Sequence, residues 1–179
     1  MTQHEIAELI RRLSTGIYGI GVCHEGQQGI FTASWVMPAS FDPVLVAVSV
    51  NPKNRSYELM TRSGVFSINV IDQDHPELAE QMAAPGDRLE SLSWMSGKDG
   101  CPLIRDALAH LECRVISEYP AGDHQIFIAE LRGGRLLDAH AEPLLYHETG
   151  NLDGAVSLFP EQLNEDLSPA HEPMQDPGR

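Results

Sequence analysis

The spacing of apolar residues near the amino terminus predicts an amphipathic helix. Four of them recur at intervals of three and four residues, as one face of a helix requires: Ile6, Leu9, Ile10 and Leu13. Thr2 and Glu5 match the capping box T-x-x-E, in which each side chain bonds the other residue's backbone N–H group. The pattern therefore predicts a helix over residues 3–13.

Apolar and alternating runs predict six or seven β-strands in the rest of the chain. These runs are IYGIGVCHE, IFTASWV, VLVAVSVN, VFSINVI, LECRVI and QIFIAELRGGRLLD, with PLLYH as a candidate closing strand. The turn signals GQQG and AGDH join two pairs of runs into hairpins. VLVAVSVN is apolar on both faces, which predicts a central position in the sheet.

The helices predicted between these strands are short. Residues 55–62 form one that ends at Gly64, and another begins at Asp74 and Pro76. Long helices do not alternate with the strands, and GIYGIG lacks the order G-x-G-x-x-G, so the pattern does not favour a Rossmann sheet. We predict a mostly β fold with short helices, arranged as an antiparallel barrel or sandwich.

The charge distribution separates a body from a tail. Residues 161–179 hold five acidic residues and one basic residue, a net charge of −4, and the remaining chain carries −10 of the total −14. We predict one domain over residues 1–158 and a disordered, acidic, Pro-rich tail over residues 159–179. Because so negative a surface repels phosphate backbones and anionic lipid, neither nucleic acid nor a membrane is a predicted partner.

Cysteine and histidine usage narrows the class further. The chain has 3 cysteines, an odd number without a C-x-x-C pair, which favours reduced thiols over a disulfide framework. No signal peptide is apparent, and the longest apolar run is far short of the ~20 residues of a membrane helix, so we expect a cytoplasmic location. The 8 histidines show no H-x-x-x-H or H-E-x-x-H spacing, so no metal site is predicted.

Residues 32–43, TASWVMPASFDP, are small and polar just before the most apolar run of the chain. Small side chains let a strand, a helix or a flat ligand approach the backbone, although plain packing would also explain Ser34 and Ser40. Ser40 precedes an Asp-Pro turn, where free backbone N–H groups can bind an anion. PKNRS then places Arg55 and Ser56 at a predicted helix start, which favours phosphate, although a solvated helix start has the same pattern. Together these stretches indicate a phosphate-bearing ligand whose flat part lies along TAS.

The GDH stretch, residues 122–124, is a second candidate for chemistry. An Asp-His pair at a hairpin can position an imidazole to donate a hydrogen bond or to titrate near neutral pH. An ordinary surface histidine would give the same pattern.

These segments resemble, in the same order, the flavin reductase-like family of FMN-binding split barrels, from about Ser14 to His147. The segments are STGIYGIGV, GIFTASWVMPASFDPVLVAVSVN, NRSYELMTRSGVFSINVI, LAEQMA, LIRDALAHLECRV, YPAGDHQIFIAEL and PLLYH. The resemblance implies an FMN-binding split β-barrel, antiparallel and Greek-key-like, with an FMN or FAD site at a homodimer interface.

The resemblance also implies site residues. Those that would line the flavin ring are Thr32, Ala33, Ser34 and Trp35. Those that would lie near its phosphate end or tail are Ser40, Asn54, Arg55, Ser56 and Arg88. His124 matches the GDH histidine associated with the nicotinamide. Trp35 is a departure, because members often carry Ser there; the indole would narrow the ring pocket or stack on the ring.

The implied function is hydride transfer from NAD(P)H to FMN or FAD. Reduced flavin or electrons would then pass to an acceptor, such as a partner monooxygenase or another redox protein. Two alternatives stay open: an FMN-binding electron carrier that does not react with NAD(P)H, and a protein that binds another flat ligand such as haem. After His147, many members carry an Arg in a basic stretch, whereas this chain continues with Glu148 and TGNL, which favours the electron carrier. The sequence does not choose between FMN and FAD, between NADH and NADPH, or between bound and released flavin.

Overall fold

A computed structural model describes residues 1–84, 88–150, 155–161 and 163. The α-helices are α1 (Gln3–Ile10), α2 (Tyr57–Ser63) and α3 (Pro76–Ala83). The strands are β1 (Tyr18–His24), β2 (Gln27–Ala33), β3 (Val36–Phe41), β4 (Val44–Val50), β5 (Val65–Val70), β6 (Trp94–Ser96), β7 (Pro102–Ile104), β8 (Ala109–Ala121) and β9 (His124–Leu136). Short 3₁₀ helices cover Leu89–Ser91, Tyr146–Glu148 and Ala155–Leu158.

Seven of the strands form one antiparallel sheet in the order β2-β1-β5-β8-β9-β4-β3. β2 and β3 lie at opposite ends of this order, yet only Ser34 and Trp35 join them in the chain. Two residues span less than about 10 Å, so the sheet must curl until its two edges approach each other. The edges do not pair as neighbours, which gives a split barrel and confirms the predicted mostly β, antiparallel fold.

Alternating side chains of the curled sheet fill the barrel interior. Val46, Val48 and Val50 of β4 face Phe127 and Ala129 of β9 in one cluster of buried residues. Because neighbouring strand residues point to opposite faces, the residues between them point outward. The face that β4 turns to the outside therefore carries Leu45, Ala47 and Ser49.

A second core lies outside the barrel, where α3 and the β6–β7 hairpin cover the sheet. Asn69 of β5 is fully buried and ties this layer to the barrel. Its Nδ2 donates to the carbonyl oxygen of Gly19 at 2.9 Å, and its Oδ1 accepts from the backbone N–H of Ile104 at 2.7 Å. A buried amide with both ends bonded fixes β7 on the outer face of β1 and β5.

The structure confirms several local predictions and corrects others. The Thr2–Glu5 capping box forms, but α1 ends at Ile10 with Arg11 as its C-cap, because the backbone bonds from Arg12 and Leu13 run only three residues back. Gly64 ends α2 in the left-handed conformation, as predicted (φ 65°). PLLYH is not a strand: it makes two isolated bridges, from Pro143 to Asp72 and from Leu145 to Gly16, and then turns into a 3₁₀ helix.

The strand VLVAVSVN is also not central, because only β3 lies beyond β4 in the sheet. Its outward side chains still include the apolar Leu45 and Ala47. The prediction of a tail over residues 159–179 lies mostly outside the described residues. Where the tail is described, the carbonyl oxygen of Phe159 accepts a hydrogen bond from Gln3 Nε2 at 2.6 Å.

Candidate functional site

A groove of about 430 Å³ lies where the two edges of the sheet approach each other. Its walls are residues 31–35, residues 49–51 with Asn54, residues 123–124 and residues 158–160. These segments come from the β2–β3 link, the end of β4, the β8–β9 turn and the chain after the last 3₁₀ helix. We call this cavity the split groove.

The end of β2 and the first residue of the β2–β3 link, residues 32–34, form a wall of the groove with little side-chain bulk. Thr32 Oγ1 donates a hydrogen bond to the carbonyl oxygen of Ala79 at 2.8 Å, which ties the end of β2 to α3. Ala33 and Ser34 follow with small side chains that line the groove. The hydroxyl of Thr32 is therefore committed to the fold, and the open space comes from the two residues after it.

The strand register places the groove on the outer surface of the barrel. Ser49 of β4 is paired with Ile126 of β9, and the Ser49 N–H donates to the carbonyl oxygen of Trp35 at 3.0 Å. The next pair inward, Val48 and Phe127, is buried in the barrel core. Since directly paired residues share a face, the Trp35, Ser49 and Ile126 positions face outward. A ligand in the split groove would lie against the barrel and not inside it.

His124 is held at the mouth of the β8–β9 turn. Gly122 adopts φ 65°, a conformation that glycine allows at little cost, and the turn brings Asp123 beside the imidazole. The distance from His124 Nδ1 to Asp123 Oδ1 is 2.7 Å. A carboxylate only accepts, so Nδ1 carries the hydrogen, and Nε2 is the ring nitrogen left for a ligand. The bond from His124 lowers the pKa of Asp123 below its ordinary value.

Two further residues complete the setting of the imidazole. Asn51 Nδ2 donates to the second carboxylate oxygen of Asp123 at 3.3 Å. The Trp35 indole lies against the imidazole with ring centroids 4.8 Å apart and planes tilted by 39°. The His124 side chain is consequently only 18% exposed, although it lies at a hairpin turn.

A cationic cluster lies beside the groove, on the other side of the end of β2. Arg88 Nη1 donates to the carbonyl oxygen of Ile30 at 2.9 Å. Partial burial, and then the nearby charge of Arg55, lower the pKa of Arg88. The Ser56 N–H donates to Asn54 Oδ1 at 2.9 Å, and Asn54 also lines the groove. We call Arg55, Ser56 and Arg88 the arginine cluster.

The structure brings most of the sequence-predicted site residues together. Six of them line the split groove: Thr32, Ala33, Ser34, Trp35, Asn54 and His124. The arginine cluster lies next to it, with Asn54 as the link. Ser40 is apart: it lies on β3 opposite Leu45, beyond a bulge after Pro38, and is not among the residues that line the groove.

Sequence reasoning missed three parts of the groove. Ser49 is a polar residue within an apolar strand, and Asn51 directly follows that strand; both are signals that could have been used. Residues 158–160 were divided between the domain and its tail. No local sequence pattern predicts that this segment lines a groove, because its position depends on the long-range hydrogen bond from Gln3 to Phe159.

Comparison with known proteins gives one consistent family. The model of the flavin reductase like domain matches residues 10–153. The NADH-dependent FMN reductase AsuE2 of Streptomyces nodosus subsp. asukaensis is 33% identical over 140 residues, which cover 75% of this chain and 76% of the relative. The diflavin flavoprotein A 1 of Synechocystis sp. is 29% identical over 154 residues, 82% of this chain but only 27% of that protein.

The other curated matches and the solved structures differ in coverage. The chain spans 27% of a Nostoc relative and 33% of a Rhizobium meliloti relative, so it corresponds to a part of those longer proteins. Among solved structures, the Streptomyces globisporus NADH:FAD oxidoreductase SgcE6, in complex with NAD and FAD fragments, superposes with a TM-score of 0.77 at 25% identity. The superposition covers 82% of this chain and 89% of that one.

Proposed function

Because the chain belongs to the flavin reductase like domain family, we propose that it transfers a hydride from NAD(P)H to FMN or FAD. Reduced flavin or electrons then pass to an acceptor. The observation that carries the proposal is the split groove, in which the small residues of the β2–β3 link lie across from a histidine held by a carboxylate. The names of the FMN reductase and the NADH:FAD oxidoreductase among the similar proteins support the same reaction.

The groove suits a flat ligand with one polar edge. Its volume of about 430 Å³ falls within the usual ~300–1,000 Å³ of small-molecule sites. Thr32, Ala33 and Ser34 leave room beside the backbone, and Ser34, Ser49 and Asn51 offer polar groups. When bound, a flavin supplies the hydride-accepting chemistry, while the protein binds it, orients it and keeps water away.

The arginine cluster supplies the positive charge that a flavin phosphate needs. Arg88 is fixed by backbone carbonyl groups, so its guanidinium is pre-organised and loses little freedom on binding an anion. Its lowered pKa, caused by burial and by Arg55, marks a site where two positive charges are held close together. An anion between them would relieve that repulsion. Ser40 stays a prediction without such support.

His124 serves the reductant in this proposal. The Nδ1–H bond to Asp123 fixes one tautomer of the neutral ring and leaves Nε2 to contact the nicotinamide. The imidazole orients the reductant and forms no covalent bond with it. Its placement next to the flat wall of the groove supports this role.

A homodimer is the proposed assembly, with the split groove beside the interface. Cross-strand pairs align an apolar set on the outer sheet face, which we call the outer strip: Met37, Ala47, Ile128, Ile126 and Tyr119. Met37 and Tyr119 are 61% and 54% exposed in the single chain. Between these two, Ile126 and Ile128 are half-buried and Ala47 is buried. An apolar strip with large exposed side chains at both ends favours a partner surface, and Ser49 joins it directly to the groove.

The proposal extends to the acceptor of the electrons and to the cellular location of the protein. A monooxygenase or another redox protein is a suitable consumer of reduced flavin. The three cysteines are free and buried, which supports a reducing cytoplasm. Within the described residues, no helix has the length and apolar character needed to cross a membrane.

The test is NADH oxidation by the purified full-length chain, followed by absorbance with and without added FMN. We expect NADH consumption that depends on FMN, and parallel assays with FAD and NADPH identify the preferred pair. If FMN stays on the protein but NADH is not consumed, the electron carrier is the correct function. If no flavin is retained and none is reduced, the flavin assignment of the groove is wrong.

A further inference from the structure

The contact between Trp35 and His124 is not required by any other part of the site. The indole could have turned to solvent, since Trp35 is 37% exposed, yet it lies 4.8 Å from the imidazole. The sequence puts this bulky residue directly after the small TAS stretch, where the family often carries Ser. A large side chain at that position needs an explanation beyond the opening of a flat site.

The backbone of Trp35 is fixed while its side chain contacts the imidazole. Its carbonyl oxygen accepts the Ser49 N–H at 3.0 Å, so the β2–β3 link is attached to β4 at this point. The indole and the imidazole therefore meet across two segments, the link and the β8–β9 turn, which lie far apart in the sequence. Relative movement of the two segments would separate the rings.

His124 is thus restrained from two directions. Along its edge, Nδ1 bonds Asp123 at 2.7 Å, and Asn51 holds that carboxylate from the other side at 3.3 Å. A single hydrogen bond leaves a ring free to rock about its axis, whereas a second aromatic ring in contact with it restricts that motion. Trp35 supplies this ring contact, tilted by 39°, and Asp123 with Asn51 supplies the hydrogen-bonded contact.

We propose that Trp35 is a positioning residue that acts through His124 and sets the affinity for the nicotinamide reductant. The inference rests on the proposed function. An imidazole already ordered in the free protein loses less conformational freedom when the reductant binds, and pre-organisation of this kind raises affinity without a new contact. Trp35 also lines the groove, but flavin binding draws on its other walls and on the arginine cluster as well, so replacing Trp35 should change flavin affinity less than reductant affinity.

The expected effect follows from the strength of an aromatic pair. Loss of that interaction corresponds to a change of about two- to tenfold in an equilibrium constant. We therefore expect Trp35→Leu to raise the KM for NADH by about two- to tenfold, with a smaller change in the Kd for FMN. Trp35→Phe keeps an aromatic face and should retain most of the affinity.

The experiment uses the full chain and three measurements. NMR gives the chemical shifts of the His124 imidazole protons in the flavin-free protein. Fluorescence titration gives the Kd for FMN, and steady-state kinetics give KM and kcat for NADH. In the original protein and in Trp35→Phe, the aromatic ring shifts the imidazole signals; in Trp35→Leu we expect this shift to disappear and KM to rise together. Phe41→Leu is the matched control and should change none of the three, because Phe41 is an exposed aromatic residue (98%) on β3 that does not line the groove.

Different results separate the possible failures. If the imidazole shift disappears in Trp35→Leu while KM stays unchanged, Trp35 does not act on the reductant, and the inference is wrong. If the FMN Kd rises instead of KM, Trp35 contacts the flavin directly and the inference is again wrong. If the unsubstituted protein reduces no flavin, the proposed function is wrong, and so is the role of Trp35 in binding the reductant. The NMR shift would then still report the contact between the two rings.

Discussion

At the scale of single residues, His124 is the side chain on which the proposed chemistry depends most. Replacing it by Ala removes the group that orients the nicotinamide but leaves the rest of the split groove in place. We expect kcat/KM for NADH to fall about 10- to 100-fold, the loss of one well-placed hydrogen bond to a bound ligand. FMN titration by fluorescence should give a Kd close to the original.

His140→Ala is the control for this substitution, because His140 is an exposed loop histidine remote from the groove residues. It should change neither quantity. Unchanged turnover in His124→Ala would remove His124 from the site and leave the Asp123 contact as a purely structural feature of the turn.

Cys113 provides a residue-scale prediction about stability. It is buried in the barrel core, and burial, followed by the charge of Glu112, raises the pKa of its thiol to about 12 from an ordinary 9.0. Above pH 9 the unfolded chain loses this proton while the folded chain keeps it, so the unfolded form is favoured as pH rises. From one pH unit below 9.0 to one above it, the free energy of unfolding should fall by about 1.4 kcal/mol more than in Cys113→Ala.

Urea unfolding about one pH unit below and one above the ordinary thiol value of 9.0 measures the difference. Lysine and tyrosine titrations affect both proteins equally and cancel. Parallel pH dependences for the two proteins would show that the Cys113 thiol ionises in the folded chain as it does in water.

Single residues also show what a sequence can and cannot reveal about a site. Thr32–Ser34 and His124 stand out because their signals are local: small residues before an apolar strand, and an Asp-His pair in a turn. Ser40 had a similar local signal, but a bulge and five further residues of strand carry it away from the groove. The Trp35–His124 contact had no local signal, because the strand register creates it.

At the scale of elements, the attachment of β7 to the barrel depends on a glycine, because any side chain at that position would overlap β7. Gly21 of β1 faces outward beneath β7, and a Cβ there would overlap the carbonyl oxygen of Pro102 and the hydroxyl of Ser67. Neither can retreat easily, since the oxygen belongs to the backbone and the Ser67 hydroxyl donates to it. Gly21→Ala should therefore lower the free energy of unfolding by about 3 kcal/mol.

Gly29→Ala is the matched control in the partner strand of the same hairpin. A Cβ there would be close only to the Ser56 hydroxyl, at 3.1 Å and at the end of a rotatable side chain, while Val22 and Leu59 would be at ordinary contact distances of 3.5 and 3.6 Å. We expect a change within about 1 kcal/mol, measured by the same urea unfolding. Equal effects at the two glycines would mean that β7 can move away from the barrel at little cost.

Elements were predictable where they carry their own pattern. The long β8–β9 hairpin, the β1–β2 hairpin and α3 all follow from alternation, turn residues and capping signals. β6 and β7 have three residues each, too few to show a period, and they exist because Asn69 and Gly21 provide a place for them. PLLYH has strand composition, but it forms only two isolated bridges and no ladder.

At the scale of the whole molecule, one chain connection decides where the site lies. Ser34 and Trp35 join the two edges of the sheet, and this short link forces the barrel to curl and places the groove at the split. The order of strands could not be derived from periodicity, and the resemblance to a known family predicted only a split barrel without that order. The outward apolar face of β4, taken as a sign of a central strand, belongs to the outer strip.

The outer strip leads to a prediction about assembly. Two copies related by a two-fold axis could each cover the strip of the other, and the strip continues through Ser49 into the split groove. A charge placed within such an interface would be buried without a partner, which is costly. In size-exclusion chromatography with light scattering, we expect the unsubstituted chain to have the molar mass of a dimer and Met37→Glu that of a monomer.

The same substitution tests the link between assembly and function. If the groove is completed beside the interface, the Met37→Glu monomer should also bind FMN at least about tenfold more weakly, although Met37 does not line the groove. Leu9→Glu is the control, since Leu9 is a comparably exposed apolar residue (58%) on α1, and it should remain a dimer. A monomeric original chain that still binds FMN tightly would contradict the dimer and would mean that one chain forms the whole site.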